Sequence, residues 1–272
     1  MSLNCRGYHL PLGERTLIMG ILNVTPDSFS DGGRYNDPQK ALDHALEMER
    51  EGADIIDVGA ESTRPGHTPV SAEEEKRRLF PVLELLLAKV KVPISIDTYK
   101  AEVAKEVLEM GAHIINDIWG FRKDSLMPQV VAIYPDVPVI VMHNKDNTNY
   151  QDLMGEIASF LLESKKMAME AGIGEERIIF DPGIGFGKNL EQNFEIMCRL
   201  KELKELGQPL LLGTSNKSMI GKILDLPVEE RTEGTAATVA IGIANGADII
   251  RVHKVKEMLR VAKVTDAIIR GC

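Results

Sequence analysis

Acidic and amide side chains stand where several apolar runs of this chain give out. Asp97 follows Pro-Ile-Ser-Ile, Asn116 and Asp117 follow His-Ile-Ile, and Asp181 follows Arg-Ile-Ile-Phe. A carboxylate at the end of a buried strand is costly unless it is paired or hydrogen-bonded. Several together make an acceptor-rich set suited to a flat heterocycle that carries N–H donors. Such a site rejects analogues lacking those donors by roughly 10⁴-fold or more. Two later segments offer the opposite chemistry, Gly213-Thr-Ser-Asn-Lys217-Ser218 and Arg251-Val-His253. Alternation along an extended backbone points Arg251 and His253 to one side. Arginine supplies a planar fork for phosphate oxygens and histidine a further donor. Charge-assisted hydrogen bonds are worth roughly 1.5–3 kcal/mol each, so three or four would anchor a diphosphate.

Three more segments carry loop chemistry. Asn23-Val-Thr-Pro-Asp-Ser-Phe-Ser-Asp-Gly-Gly33 reads as a flap. Asp27 and Asp31 offer hard oxygens to Mg²⁺, which takes only one or two protein carboxylates and leaves the rest to phosphate and water. Phe29 gives the flap an apolar contact for a substrate ring. In Gly59-Ala-Glu-Ser-Thr-Arg-Pro-Gly66, Arg64 sits beside a proline-stiffened turn and is placed to reach an anion. Asp181-Pro-Gly-Ile-Gly-Phe-Gly-Lys188 looks like a phosphate loop, but Pro182 stands where a Walker loop needs Gly, and Asn189 follows the lysine where Ser or Thr is required. It reads instead as a tight strand-to-helix turn presenting Asp181 and Phe186. His143 ends an apolar run and reads as structural, and no H-E-x-x-H spacing occurs.

These residues need a scaffold that collects strand ends. Strand-length apolar runs recur eight times and end at Asn23, Asp57, Asp97, Asp117, His143, Asp181, Ser215 and His253. Helix-like stretches separate them, over about 38–50, 71–89, 100–110, 125–134 (with Pro128 interrupting), 152–171, 189–206, 235–245 and 257–269. Asp37-Pro38 and the capping box Ser71-Ala-Glu-Glu74 mark helix starts. The repeated Gly-Ala-(Asp/His)-Ile-Ile at Gly52, Gly111 and Gly246 marks a helix stop followed by a strand. The prediction is an α/β chain folded as a (β/α)₈ TIM barrel. It would be a single domain over 1–272, with the barrel proper about 16–270 and a short N-terminal extension. A doubly wound sheet would place its ligand at one switch point and gives no reason for polar ends on nearly every strand.

Composition narrows the function. With 32 basic against 41 acidic residues the net charge is −9, which argues against a nucleic-acid partner. No run reaches the ~18 apolar residues of a membrane span, and no apolar leader opens the chain. Cys5, Cys198 and Cys272 are too few for a disulfide framework. A cytoplasmic protein with reduced thiols is expected.

Together MGILNVTPDSFSDGG, DVGAESTRPG, SIDT, IIND, DPGIGFGK, GTSNKS and RVH resemble, in order and over about 16–269, the bacterial dihydropteroate synthase family of pterin-binding enzymes. The resemblance implies a cytoplasmic, homodimeric transferase of folate synthesis. Such an enzyme joins 7,8-dihydropterin-6-ylmethyl diphosphate to 4-aminobenzoate and releases pyrophosphate. By similarity Asp97, Asn116, Asp181 and Lys217 hold the pterin. Asn23, Arg64, Arg251 and His253 line the pyrophosphate site, with Mg²⁺ near Asn23 and Asp31. Thr63, Pro65, Phe29, Phe186 and Ser218 shape the aminobenzoate pocket, where sulfonamides would also bind. Asp97, Lys217, Arg251 and His253 are the expected catalytic set. Asn216 and Lys254 depart from the family's commonest residues, Arg and Asp, which bears on local charge more than on reaction type. A pterin-binding corrinoid methyltransferase is the nearest rival, but it has no need for ESTRPG and Arg-Val-His together. A non-catalytic binding module would hold the diphosphate without turnover.

Overall fold

The computed structural model describes residues 3–24, 38–61 and 70–271. The chain begins with an antiparallel hairpin, β1 (Leu3–Cys5) and β2 (Tyr8–Leu10). Its two-residue turn, Arg6-Gly7, has positive φ at both positions, 44° and 88°, the pattern that matches the twist of a tight hairpin. The short N-terminal extension is therefore a hairpin.

Eight parallel strands follow: β3 (Leu17–Asn23), β4 (Ile55–Gly59), β5 (Ile94–Asp97), β6 (Ile114–Asp117), β7 (Val139–Met142), β8 (Ile178–Asp181), β9 (Leu211–Leu212) and β10 (Ile249–Val252). They pair in the order β8-β7-β6-β5-β4-β3-β10-β9. A parallel bridge from Phe180 to Leu210 joins β8 to the start of β9 and closes the ring. The fold is the expected (β/α)₈ barrel.

Side-chain parity divides the core in two. Leu17, Met19, Ile55, Ile114, Ile140, Ile179, Leu211 and Ile249 cluster inside the barrel, together with Leu3, Cys5, Leu10 and Leu12 of the hairpin segment. The alternate positions, such as Ile56, Ile96, Ile115, Val141 and Phe180, pack outward against the helices. With both faces covered, the strands read as continuous apolar runs.

The helices are α1 (Pro38–Glu51), α2 (Ala72–Lys89), α3 (Ala101–Met110), α4 (Met127–Ala132), α5 (Leu153–Glu170), α6 (Leu190–Lys204), α7 (Ser218–Leu224), α8 (Thr232–Ala244) and α9 (Val255–Arg270). Pro128 opens α4 rather than interrupting it, because the first turn has no use for the N–H that proline lacks. α7 is an addition to the predicted set. The Ser71 hydroxyl accepts from the Glu74 N–H at 3.2 Å, as a cap should. The Glu74 carboxylate, however, pairs with Arg77 and Arg78 instead of reaching back. Among the described residues a complete capping box is formed by Asn189 with Gln192, at the start of α6.

Candidate active site

The parity that fills the barrel interior with Ile and Leu places polar side chains on the same inward face one step further along. Asp57, Asp97, Asn116, Asp181 and Arg251 follow Ile55, Ser95, Ile114, Ile179 and Ile249 by two residues each. Cross-strand register sets Asn23 beside Gly59, Gly59 beside Asp97, and Asp97 beside Asn116. The expected carboxylates and the expected cation thus share one layer at the carboxyl ends of the strands, where barrels of this kind do chemistry.

Arg251 binds two of these carboxylates. Its Nε donates to Asp57 Oδ2 at 2.6 Å and its Nη2 to Asp97 Oδ2 at 2.9 Å. Asn116 Nδ2 donates to the same Asp57 oxygen at 3.3 Å. Asp57 Oδ1 and Asn116 Oδ1 are buried with no hydrogen-bond partner among the described residues. Buried acceptors without a donor are rare and call for a reason; two in one inward layer are what a ring bearing N–H groups would satisfy.

Electrostatics reflect the crowding. Burial pushes Asp97 up to about 7; Arg251 pulls it down, while Asp57 and Glu75 add to the rise. Burial raises Asp181 to about 6, opposed by the Gly183 N–H, which donates to its Oδ1 at 2.7 Å, and by Lys217 and Arg251. Burial lowers Lys217 to about 8, assisted by Arg251 and resisted by Asp181 and Asp97. Burial alone would lower Arg251, but Asp57 and Asp97 outweigh it and hold it above its ordinary value.

The remaining residues frame this layer. Lys217 caps the start of α7, and its Nζ lies 4.1 Å from the centroid of the Phe186 ring. Ser218 follows it as the first residue of α7, exposed. His253 stands just past β10 with Nδ1 2.9 Å from Ser215 Oγ, which also accepts from the His253 N–H at 3.2 Å. Ser215 therefore fixes the ring that was expected to face an anion. Asn23 ends β3, half-buried. Phe29, Asp31, Thr63, Arg64 and Pro65, with Asp27, lie outside the described residues.

One member of the acceptor set does not belong. Asp117 has the opposite parity to Asn116 and turns away from the barrel interior. Its two oxygens accept from the N–H groups of Trp119 at 2.8 Å and Phe121 at 2.9 Å, so it organises the turn after β6. Burial raises it to about 6, against those two bonds. Asp57 takes its place in the layer. Its position among the polar strand ends was visible, and parity counted from Ile55 would have assigned it.

Two further features carried no sequence signal. Lys100, at the root of the loop after β5, bridges Glu61 and the buried Glu75 at 2.5 Å each. Lys188 is buried against His143; burial lowers it to about 7, while Asp181 pulls the other way. His143 is itself buried and held neutral, lowered to about 2 chiefly by that burial and then by Lys188.

A closed barrel with acceptors and cations at its mouth defines a class of enzymes that grip a ring and an anionic group together. Consistent with that class, the family model described as "Pterin binding enzyme" matches residues 19–253. A dihydropteroate synthase of Clostridium beijerinckii is 58% identical over 260 residues, 95% of this chain and 96% of that protein. Among solved structures, the dihydropteroate synthase of Clostridium difficile in the presence of pteroic acid superposes with a TM-score of 0.94 at 54% identity, covering 96% of this chain and 99% of the other. The Xanthomonas albilineans enzyme with 4-aminobenzoic acid also gives 0.94, at 41% identity, over 100% and 98%. The chain belongs to the pterin-binding enzymes and, within them, to the dihydropteroate synthases.

Proposed function

We propose that the barrel mouth condenses 7,8-dihydropterin-6-ylmethyl diphosphate with 4-aminobenzoate to give 7,8-dihydropteroate and pyrophosphate. The observation that carries this is the pair of buried, unpartnered oxygens on Asp57 and Asn116, set beside Asp97 and Asp181 and directly against Arg251. The relatives' pteroic acid and 4-aminobenzoic acid are the product-like and substrate-like molecules such a mouth would hold.

The pterin N–H groups bond to Asp57, Asn116 and Asp181. The methylene C–O bond breaks and its electron pair leaves on the diphosphate. Asp97 offsets the positive charge that spreads into the ring, and Arg251 and His253 donate to the departing oxygens. The aromatic amine nitrogen then bonds the methylene carbon and releases a proton to solvent. An arylamine is already a neutral nucleophile near pH 7, so no strong base is required. Lys217 donates to the pterin, and the Phe186 ring beside it forms, with Ser218, one wall of the aminobenzoate subsite.

Mg²⁺ fits the donor chemistry at the strand end that carries Asn23. That side chain offers one hard oxygen, and magnesium completes its shell with phosphate and water. Asn23, with Asp31, would hold it, and when bound it supplies positive charge to the diphosphate. We place the enzyme in the cytoplasm as a homodimer. Exposed Ile223, Ile241, Val264 and Ile268 on α7, α8 and α9 support a self-association face, and no helix among the described residues is long and apolar enough to cross a membrane. Light scattering should give twice the chain mass, and one chain mass for Val264→Glu with Ile268→Glu.

The deciding assay is pyrophosphate release with both substrates, with and without Mg²⁺ and with aminobenzoate omitted. Release that needs both substrates and the metal is expected. Methyl transfer to a corrinoid without pyrophosphate would overturn the reading.

A further inference from the structure

Lys188 has no part in the steps above, yet it is only 9% exposed. Its Nζ meets four acceptors: Phe186 O at 2.8 Å, Gly183 O at 2.9 Å, His143 Nδ1 at 2.9 Å and, at 3.4 Å, His143 O. An ammonium group has three N–H donors, and all three are used. Two of the acceptors belong to the lysine's own loop, and the other two are on His143, just past the neighbouring strand β7. The lysine therefore ties the loop after β8 to the barrel wall. The tie is reinforced on both sides. The His143 ring packs edge-on against Phe160, centroids 4.8 Å apart, and the Tyr150 hydroxyl donates to Gly187 O at 2.8 Å. The backbones approach so closely that a Cβ on Gly183 would lie 1.9 Å from His143 O.

An apolar side chain would fill this space without the cost of burying a charge. What the ammonium adds is direction, because it fixes the carbonyl of Phe186 and the carbonyl three residues before it. That loop presents the Phe186 ring to Lys217. We propose that Lys188 is a positioning residue: through His143 and the carbonyls of Gly183 and Phe186 it sets the Phe186 ring against Lys217 and so shapes the subsite for the aromatic amine. This rests on the reaction proposed above.

A double-mutant cycle tests it, with steady-state rates for wild type, Lys188→Met, Phe186→Leu and the double variant. Lys188→Met should raise KM for 4-aminobenzoate about tenfold with kcat nearly unchanged. Most of that effect should vanish in the Phe186→Leu background, since both changes act on one ring. A lysine that only stabilises the fold would lower Tm and leave KM alone, and its effects would add to those of Phe186→Leu; either result overturns the inference. Should Lys188→Met fail to fold, His143→Leu keeps the lysine, removes one acceptor and enters the same cycle with the same expected non-additivity. Hydrogen exchange in the free protein reads the tie without turnover. Faster exchange of the amides of residues 183–188 in Lys188→Met, with α6 unchanged, supports it, and unchanged exchange refutes it. A wild type that releases no pyrophosphate sinks the reaction instead, and the exchange comparison then decides the tie alone.

Discussion

The two ends of the barrel use the same strands and the same inward positions for opposite purposes. At the amino end, Leu17, Met19, Ile55, Ile114, Ile140, Ile179, Leu211 and Ile249 are fully buried and roofed by Leu3, Cys5, Leu10 and Leu12. Two residues later, about 6–7 Å along each strand, the inward face carries Asp57, Asp97, Asn116, Asp181 and Arg251. Stability and chemistry are thus separated along the strand axis. The apolar end offsets the cost of holding carboxylates as unfavourably placed as Asp97, which burial pushes up to about 7.

The sharpest break of this comparison is Asp97→Asn. Removing one preorganised charge partner costs about 10²–10³ in turnover. The thermal midpoint should hold or rise, because a buried, unfavourably ionised group is gone. Steady-state kinetics with a melting curve checks both, and near-normal turnover would remove Asp97 from the reaction. Leu10→Ala, at the other end, should do the reverse. It should lose about 2–4 kcal/mol in urea unfolding, with kcat and both KM values unchanged for the folded fraction.

Acidity probes the mouth, with Asp117 of the neighbouring turn titrating in the same window. kcat/KM reports groups of the free enzyme, so it should fall as pH drops through about 7 and about 6, where Asp97 and Asp181 take up protons. Stability runs the other way. Between the ordinary carboxylate value of 3.8 and about 7, folded Asp97 holds a proton that the unfolded chain has lost. Its contribution is therefore full below the lower value and gone above the upper. Melting curves across that window should slope downward with pH in the wild type and less steeply in Asp97→Asn. Asp117→Asn gives the smallest effect, a loss of about 1 kcal/mol from the turn it organises and no change in rate. A large rate defect would return Asp117 to the site.

Much of this was readable beforehand because the signals were local. Eight apolar runs with polar ends gave the strands, and the recurring Gly-Ala-(Asp/His)-Ile-Ile gave helix stops, with Gly52, Gly111 and Gly246 all at positive φ. Asp97, Asn116, Asp181 and Arg251 were legible as strand ends, and the structure brings them together. Asp117 was misread because its neighbour Asn116 faces inward, and one residue of offset reverses the face of a strand. The Glu74 half of a capping box failed because Arg77 and Arg78, one turn on, compete for its carboxylate. The hairpin over the barrel floor and the tie at Lys188 depend on contacts between segments distant in sequence, such as Cys5 Sγ donating to His113 O across 108 residues. No window of a few residues contains that information.

Beneath the polar layer the barrel is packed solid with Leu, Ile and Met and covered by the hairpin, so its carboxyl rim is the way in and out. Both reactants must arrive, and both products depart, across the same rim, so the leaving anion and the incoming amine compete for passage.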